Sequence, residues 1–159
     1  MRINFKSNIV LLVSFTVVTL FLNSCKQDNY IDWKVMNEKW LEVHKSDPGF
    51  ISTESGLCYK VIREGNPSDR KPNGGSYIVV TYEGKLINGT SFDSGEEINL
   101  GTLSYMIPGW QEGLVKMNNG ATYEFYIPWE LGYGKTGSGT AIPPYSTLIF
   151  TVELVDSYN

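Results

Sequence analysis

The spacing of apolar positions divides the chain into three stretches. The first, Ile9–Leu22 (IVLLVSFTVVTLFL), is an apolar run of fourteen residues. A bilayer span needs about 20 such residues, and runs of about 10–14 fit the core of an export signal or a buried helix. In the second stretch Trp33, Met36, Trp40 and Val43 fall three or four residues apart, the signature of one helical face. Asp32 is placed to cap this helix, and Asp47-Pro48-Gly49 stops it. The plain reading is a helix packing its two Trp on the domain that follows; a dimerisation or client-binding helix is the alternative. His44 lies on this helix and is expected to be solvated.

From Ser55 the period falls to two, the repeat of a strand with one buried face. Leu57, Tyr59 and Val61 alternate, and Glu64–Ser76 is a polar loop. Ile78, Val80 and Tyr82 share the next face, and Ile87-Asn88-Gly89-Thr90 supplies an Asn-Gly turn. Pro108 opens a short helix with Trp110, Leu114 and Met117 at helical spacing, ended by Asn118-Asn119-Gly120. Alternation returns at Tyr123, Phe125 and Ile127, then at Leu148, Phe150, Val152 and Leu154. This order predicts an α+β fold, an antiparallel sheet with one helix laid across it.

Composition narrows the chemistry. The chain of 159 residues carries a net charge of −4, which argues against nucleic acid as a partner. One histidine and two cysteines leave no set of Cys/His ligands for zinc, and only His44 for a histidine-dependent triad. No metal and no cofactor is expected. With Cys25 at a lipobox-like site, Cys58 reads as a small, half-buried strand residue.

Met1–Asn8 holds Arg2 and Lys6 and no acid, so with the apolar run it forms a secretory signal. Leu22-Asn23-Ser24-Cys25 resembles a bacterial lipobox, although Asn is less typical at its second position. The resemblance implies that Cys25 is acylated and anchors the chain to a bacterial membrane, the outer membrane facing periplasm or cell surface being expected. Residues 1–24 are then a lipoprotein signal peptide, 25–50 a tether and short helix, and 51–159 the β-rich domain.

From about Thr53 to Asp156 six blocks occur in order. They are Ser55–Val61, Val80-Thr81-Tyr82-Glu83-Gly84, Gly89–Ser94, Ile107-Pro108-Gly109-Trp110-Gln111-Glu112-Gly113-Leu114, Leu131-Gly132-Tyr133-Gly134 and Ile142–Phe150. Together they resemble an FKBP-type peptidyl-prolyl isomerase domain. That resemblance implies five or six antiparallel strands curled around one short helix, with a pocket between them. It implies Trp110 as pocket floor, with Tyr82, Phe92, Tyr133 and Phe150 as walls and Ile142 in the loop above. Asp93 becomes the acid inside, Met106 the edge, and the Ile107 N–H a donor to a substrate carbonyl. Tyr82, Asp93, Trp110 and Phe150 are the expected catalytic set; Phe92, Met106, Ile107, Tyr133 and Ile142 are the expected substrate contacts. Glu96 stands where another ring is common in the family.

The implied reaction is cis–trans isomerisation of X-Pro bonds in exported proteins, with proline-containing polypeptides as clients and a macrolide as a further ligand class. A monomer is expected, a dimer being the alternative. From the residues alone, Phe150 and Trp110 would equally serve as core, and Asp93 could simply form an Asx-turn. The rival function is a chaperone or binding module that holds proline-containing segments with little turnover.

Overall fold

The computed structural model describes residues 30–159. The signal sequence, the lipobox and Cys25 lie outside the described residues. Among the described residues no helix is long and apolar enough to cross a membrane.

Helix α1 occupies residues 30–44. Six strands follow: β1 (Ile51–Ser52), β2 (Cys58–Arg63), β3 (Tyr77–Leu86), β4 (Ser91–Thr102), β5 (Thr122–Ile127) and β6 (Leu148–Tyr158). Helix α2 (Pro108–Leu114) lies between β4 and β5. All pairings are antiparallel, and the sheet order is β1-β2-β5-β6-β3-β4. The α+β architecture expected from the alternating pattern is the one found, with six strands.

One face of the sheet makes the core. Ile78, Val80, Phe125, Ile127, Leu148, Val152 and Leu154 are buried on it, and α2 adds Trp110 and Leu114. Strand alternation puts these residues there because side chains two apart share a face. The β3–β4 hairpin turns through Ile87-Asn88-Gly89: the Gly89 N–H donates to Leu86 O, the Leu86 N–H donates to Thr90 O, and Gly89 has φ +84°. That is a type I turn completed by a left-handed glycine.

Helix α2 is shorter than its apolar spacing suggests. It ends at Leu114, and Met117 is buried from the turn beyond it, where the Lys116 and Met117 N–H groups bond to carbonyls three residues back. The glycine at 113 lets α2 lie directly on the sheet, since a Cβ there would stand 2.6 Å from the Phe125 ring.

Helix α1 packs on the opposite face of the sheet around Tyr126. Trp40 stacks on Tyr126 at 5.9 Å, and Phe50 meets the same ring at 4.3 Å. Four expectations change here. The buried stripe of α1 runs through Trp33, Asn37 and Trp40, while Met36 and Val43 are 56% and 59% exposed. Asp32 lies inside the helix, because residues 30 and 31 are already helical. His44 is half-buried, stacked on Trp40 at 3.9 Å with its Nδ1 bonded to Trp40 O. Cys58 is buried rather than half-buried, beside the Ser52 hydroxyl and paired in register with Tyr126.

Candidate functional site

Between α2 and the concave face of the sheet lies a cavity of about 260 Å³. It is lined by Tyr82, Asp93, Leu100, Tyr105, Met106, Ile107, Trp110, Tyr133 and Phe150. Each element brings its residue for a local reason. Pro108 starts α2 at its first turn, with Ile107 as N-cap, so Trp110 is carried against the sheet within one turn. Tyr82 and Phe150 sit at inward positions of β3 and β6, two strands paired through Gly84–Phe150 and Tyr82–Val152.

The floor ring stands perpendicular to both wall rings, which are tilted 54° to each other at 6.2 Å. Trp110 meets Tyr82 edge-to-face at 5.4 Å and Phe150 at 5.1 Å. Such contacts place a positive ring edge on a negative ring face and hold the rings more rigidly than burial alone. Trp110 is buried, and its Nε1 has no hydrogen-bond partner among the described residues. An unpaired buried donor costs about 1–3 kcal/mol, so the fold sustains an unsatisfied polar group at the pocket floor.

Asp93 lines the cavity from its rim, as an exposed residue. Its Oδ2 accepts the Tyr82 hydroxyl at 2.8 Å, and its Oδ1 accepts the Ser94 N–H at 2.9 Å. Burial pushes the Tyr82 phenol up to about 12, helped by the hydrogen bond to Asp93 and by its charge. Burial also raises Tyr133, with the Asp93 charge adding to it. Both phenols therefore remain neutral donors across the physiological range.

The lip between β4 and α2 is bolted down. Gln111 Nε2 donates to Met106 O at 2.7 Å and to Ser104 O at 3.1 Å. The Ile107 N–H meets no acceptor among the described residues, and so remains available at the cavity wall.

Seven of the nine expected pocket residues line this one cavity: Tyr82, Asp93, Met106, Ile107, Trp110, Tyr133 and Phe150. Phe92 and Ile142 do not. Phe92 stands behind the wall, edge-to-face on Phe150 at 5.3 Å, and Ile142 is 6% exposed within the hydrophobic core. The pairing passes from Gly84–Asp93 to Lys85–Ser91, so Phe92 is an extra residue, a β-bulge. The bulge lets consecutive residues serve one face, Phe92 supporting Phe150 and Asp93 reaching Tyr82.

Leu100 and Tyr105 line the cavity without having been anticipated. Leu100 is likewise a bulge residue, lying between the pairs Ile78–Gly101 and Val79–Asn99. The Leu100-Gly101 pair was the available signal, since a left-handed glycine often accompanies a bulge, and Gly101 has φ +82°. Glu96 is exposed and takes no part in the wall.

A pocket lined mainly by aromatic and aliphatic side chains, with a carboxylate at its rim, can bind a peptide segment and distort it. Comparison with known proteins agrees with this geometry. The sequence profile of FKBP-type peptidyl-prolyl cis-trans isomerases matches residues 68–155. The FKBP-type 22 kDa peptidyl-prolyl cis-trans isomerase of Escherichia coli K12 is 44% identical over 122 residues, covering 74% of this chain and 58% of that protein. Outer membrane protein MIP of Legionella longbeachae is 39% identical, covering 77% of this chain and 53% of that one. The crystal structure of FkpA from Escherichia coli superposes with a TM-score of 0.80 at 31% identity, over 98% of this chain and 73% of that one. The chain spans about half the length of the curated relatives it matches. From the matched profile, the shared fold and the relatives' identities, the chain belongs to the family of FKBP-type peptidyl-prolyl cis-trans isomerases.

Proposed function

We propose that the chain isomerises X-Pro bonds of exported polypeptides by binding the twisted amide in this pocket. The observation that carries the reading is Trp110 set edge-to-face against both Tyr82 and Phe150, closing a cavity with Asp93 on its rim. An X-Pro bond turns over unaided in tens of seconds. Reaching an ordinary turnover of about 10–10³ s⁻¹ requires lowering the barrier by only about 3–6 kcal/mol. Twisting the amide breaks its resonance, reduces charge on the carbonyl oxygen and pyramidalises the nitrogen. An apolar cavity disfavours the polar planar form and accepts the twisted one, which is stronger binding of the transition state than of the ground state.

Within that scheme Trp110 and Phe150 supply the dry surface, and the Ile107 N–H holds a neighbouring carbonyl. The Tyr82–Asp93 pair sets the field at the rim, while Met106 and Tyr133 contact the flanking residues. Phe92 and Ile142 support the wall from behind. The test is catalysed relaxation of a proline-containing peptide by the full chain, followed optically. Acceleration that saturates with peptide is the expected result; binding of the peptide without acceleration would establish a holding module instead.

We further propose that the mature chain is anchored through acylated Cys25 to a bacterial outer membrane. The support is the short apolar run ending at a lipobox-like site, and the outer-membrane designation carried by the Legionella relative. Expression of Cys25→Ser in a host that lipidates such chains is expected to move the protein out of the detergent-requiring membrane fraction. Unchanged fractionation overturns the anchor.

A further inference from the structure

Helix α1 grips three consecutive residues of the segment that leads from the pocket into β6. Lys34 Nζ lies 5.6 Å from the ring centre of Tyr145. Trp33 Nε1 donates to Ser146 Oγ at 2.9 Å. Asn37 Oδ1 accepts the Thr147 N–H at 2.7 Å, while its Nδ2 donates to Trp33 O at 2.8 Å and fixes the orientation of the amide. Asn37 is fully buried, and so is Thr147 with the helix in place. A buried asparagine in a helix interior is a poor helix former and costly to desolvate. The bond to Thr147 is what offsets that cost.

The gripped segment is wired to the cavity. Tyr145 is held at φ +61°, a left-handed conformation that a non-glycine residue keeps only where its surroundings enforce it. Its N–H donates to Gly134 O at 3.0 Å, and the Gly134 N–H donates to Trp129 O at 2.9 Å. Gly134 directly follows Tyr133, whose ring lines the cavity. Trp129 and Tyr145 meet edge-to-face at 5.2 Å, with Lys34 also 5.5 Å from Trp129. The Trp129 Nε1 donates to Glu38 Oε1 on the same helix at 3.2 Å. Thus α1 holds both residues whose backbones hold Gly134. Tyr133 itself is 37% exposed. The loop beyond it holds its carbonyl, through the Gly137 N–H at 3.2 Å and the Thr136 hydroxyl at 3.3 Å, while Lys135, Thr136 and Ser138 face solvent and α1 holds the Gly134 side.

We propose that α1 is a strut for the pocket, with Trp33, Lys34 and Asn37 as positioning residues that set the place of Tyr133 through Tyr145, Ser146 and Thr147. The proposal rests on the isomerase reading for its kinetic consequence and on geometry alone for its structural one.

The test uses the full chain with Lys34→Gln, Lys34→Arg and Asn37→Ala, read by three measurements. These are kcat and KM for a proline peptide well below each melting temperature, the melting temperature itself, and amide hydrogen exchange at Gly134 and Tyr145. Lys34→Gln is expected to lower kcat/KM about threefold or more and to speed exchange at both amides, with the melting temperature little changed. Lys34→Arg is expected to restore both, because it keeps a cation over the two rings. Asn37→Ala is expected to do the same as Lys34→Gln and to melt earlier; should it fail to fold, the surface pair at Lys34 decides. Wild-type kcat/KM in Lys34→Gln overturns the positioning role, even where exchange is faster. A wild-type chain without isomerisation sinks the isomerase reading separately, and unchanged exchange at Gly134 and Tyr145 would then overturn the strut as well.

Discussion

At Asp93 one exposed carboxylate is shared between a ring hydroxyl and the next backbone amide. Because it sits on the rim of the pocket, its replacement should spare the core while removing the partner of Tyr82. Asp93→Leu is expected to lower kcat/KM for a proline peptide about tenfold, or about 1.4 kcal/mol of transition-state stabilisation, with the aromatic cluster retaining the remainder. Steady-state kinetics on a protein shown folded by circular dichroism check this, and full activity would remove the acid from the mechanism. Phe150 is the poorer probe, since truncating a buried aromatic costs about 3–5 kcal/mol of stability and confounds the two effects.

Among the elements, α2 and β4 do the most to shape the site. Strand β4 lies at the edge of the sheet and departs from regular pairing with β3 at three places, around Phe92, Glu96-Glu97 and Leu100. Bulges deter edge-to-edge pairing between molecules and re-aim side chains; here they deliver Asp93 and Leu100 to the cavity. Helix α2 is only seven residues long, so its place depends on contact with the sheet rather than on its own propensity. Gly113→Ala would improve helix propensity by up to about 1 kcal/mol. It would also press a methyl group onto the Phe125 ring, where a Cβ stands 2.6 Å away. Overpacking of about 1–3 kcal/mol wins, so thermal unfolding should show a lower melting temperature. Activity should fall with it, because Trp110 rides on the same helix.

Over the whole molecule, α2 and the pocket cover one face of the sheet, while α1 covers the other only around Tyr126 and leaves Ile62, Glu83 and Thr151 exposed. Among the described residues, the strands and the hydrophobic core all follow residue 50 apart from Trp33, which packs against the core from α1. A chain beginning at Ser46 should therefore still unfold cooperatively, but about 10 °C lower, given about 2–3 kcal/mol for losing the Trp33 and Trp40 contacts. A broad, non-cooperative transition would make α1 part of the folding unit itself. Alkaline stability tests the same packing. Tyr82 is raised to about 12, and Tyr123, Tyr126 and Tyr133 are also raised, burial being the largest cause in each. Their stabilisation is complete below the ordinary tyrosine value of about 10 and is lost as pH rises above it, because the unfolded phenols ionise first. The melting temperature should fall from about pH 10 toward 12, less steeply in Tyr126→Phe.

The period of two in β2, β3, β5 and β6, the turn glycine at 89 and the motif residues Tyr82, Asp93, Trp110 and Phe150 were legible in the amino-acid order. Each expresses a constraint that is local in the chain: pleat, turn geometry, or a helix start fixed by Pro108. The placement of Phe92 and Leu100 was not legible, because a bulge arises from the register between two strands; nor was that of Tyr105 and Ile142, which lie in the connections before α2 and β6 and are placed by tertiary packing. Nor was the buried side of α1. Its apolar positions pointed to Met36 and Val43, whereas the surface it meets presents the Ser146 hydroxyl and the Thr147 amide. A polar surface selects Asn37 and the indole N–H of Trp33, and that choice exists only once the segment from Tyr133 to Leu148 has folded into place.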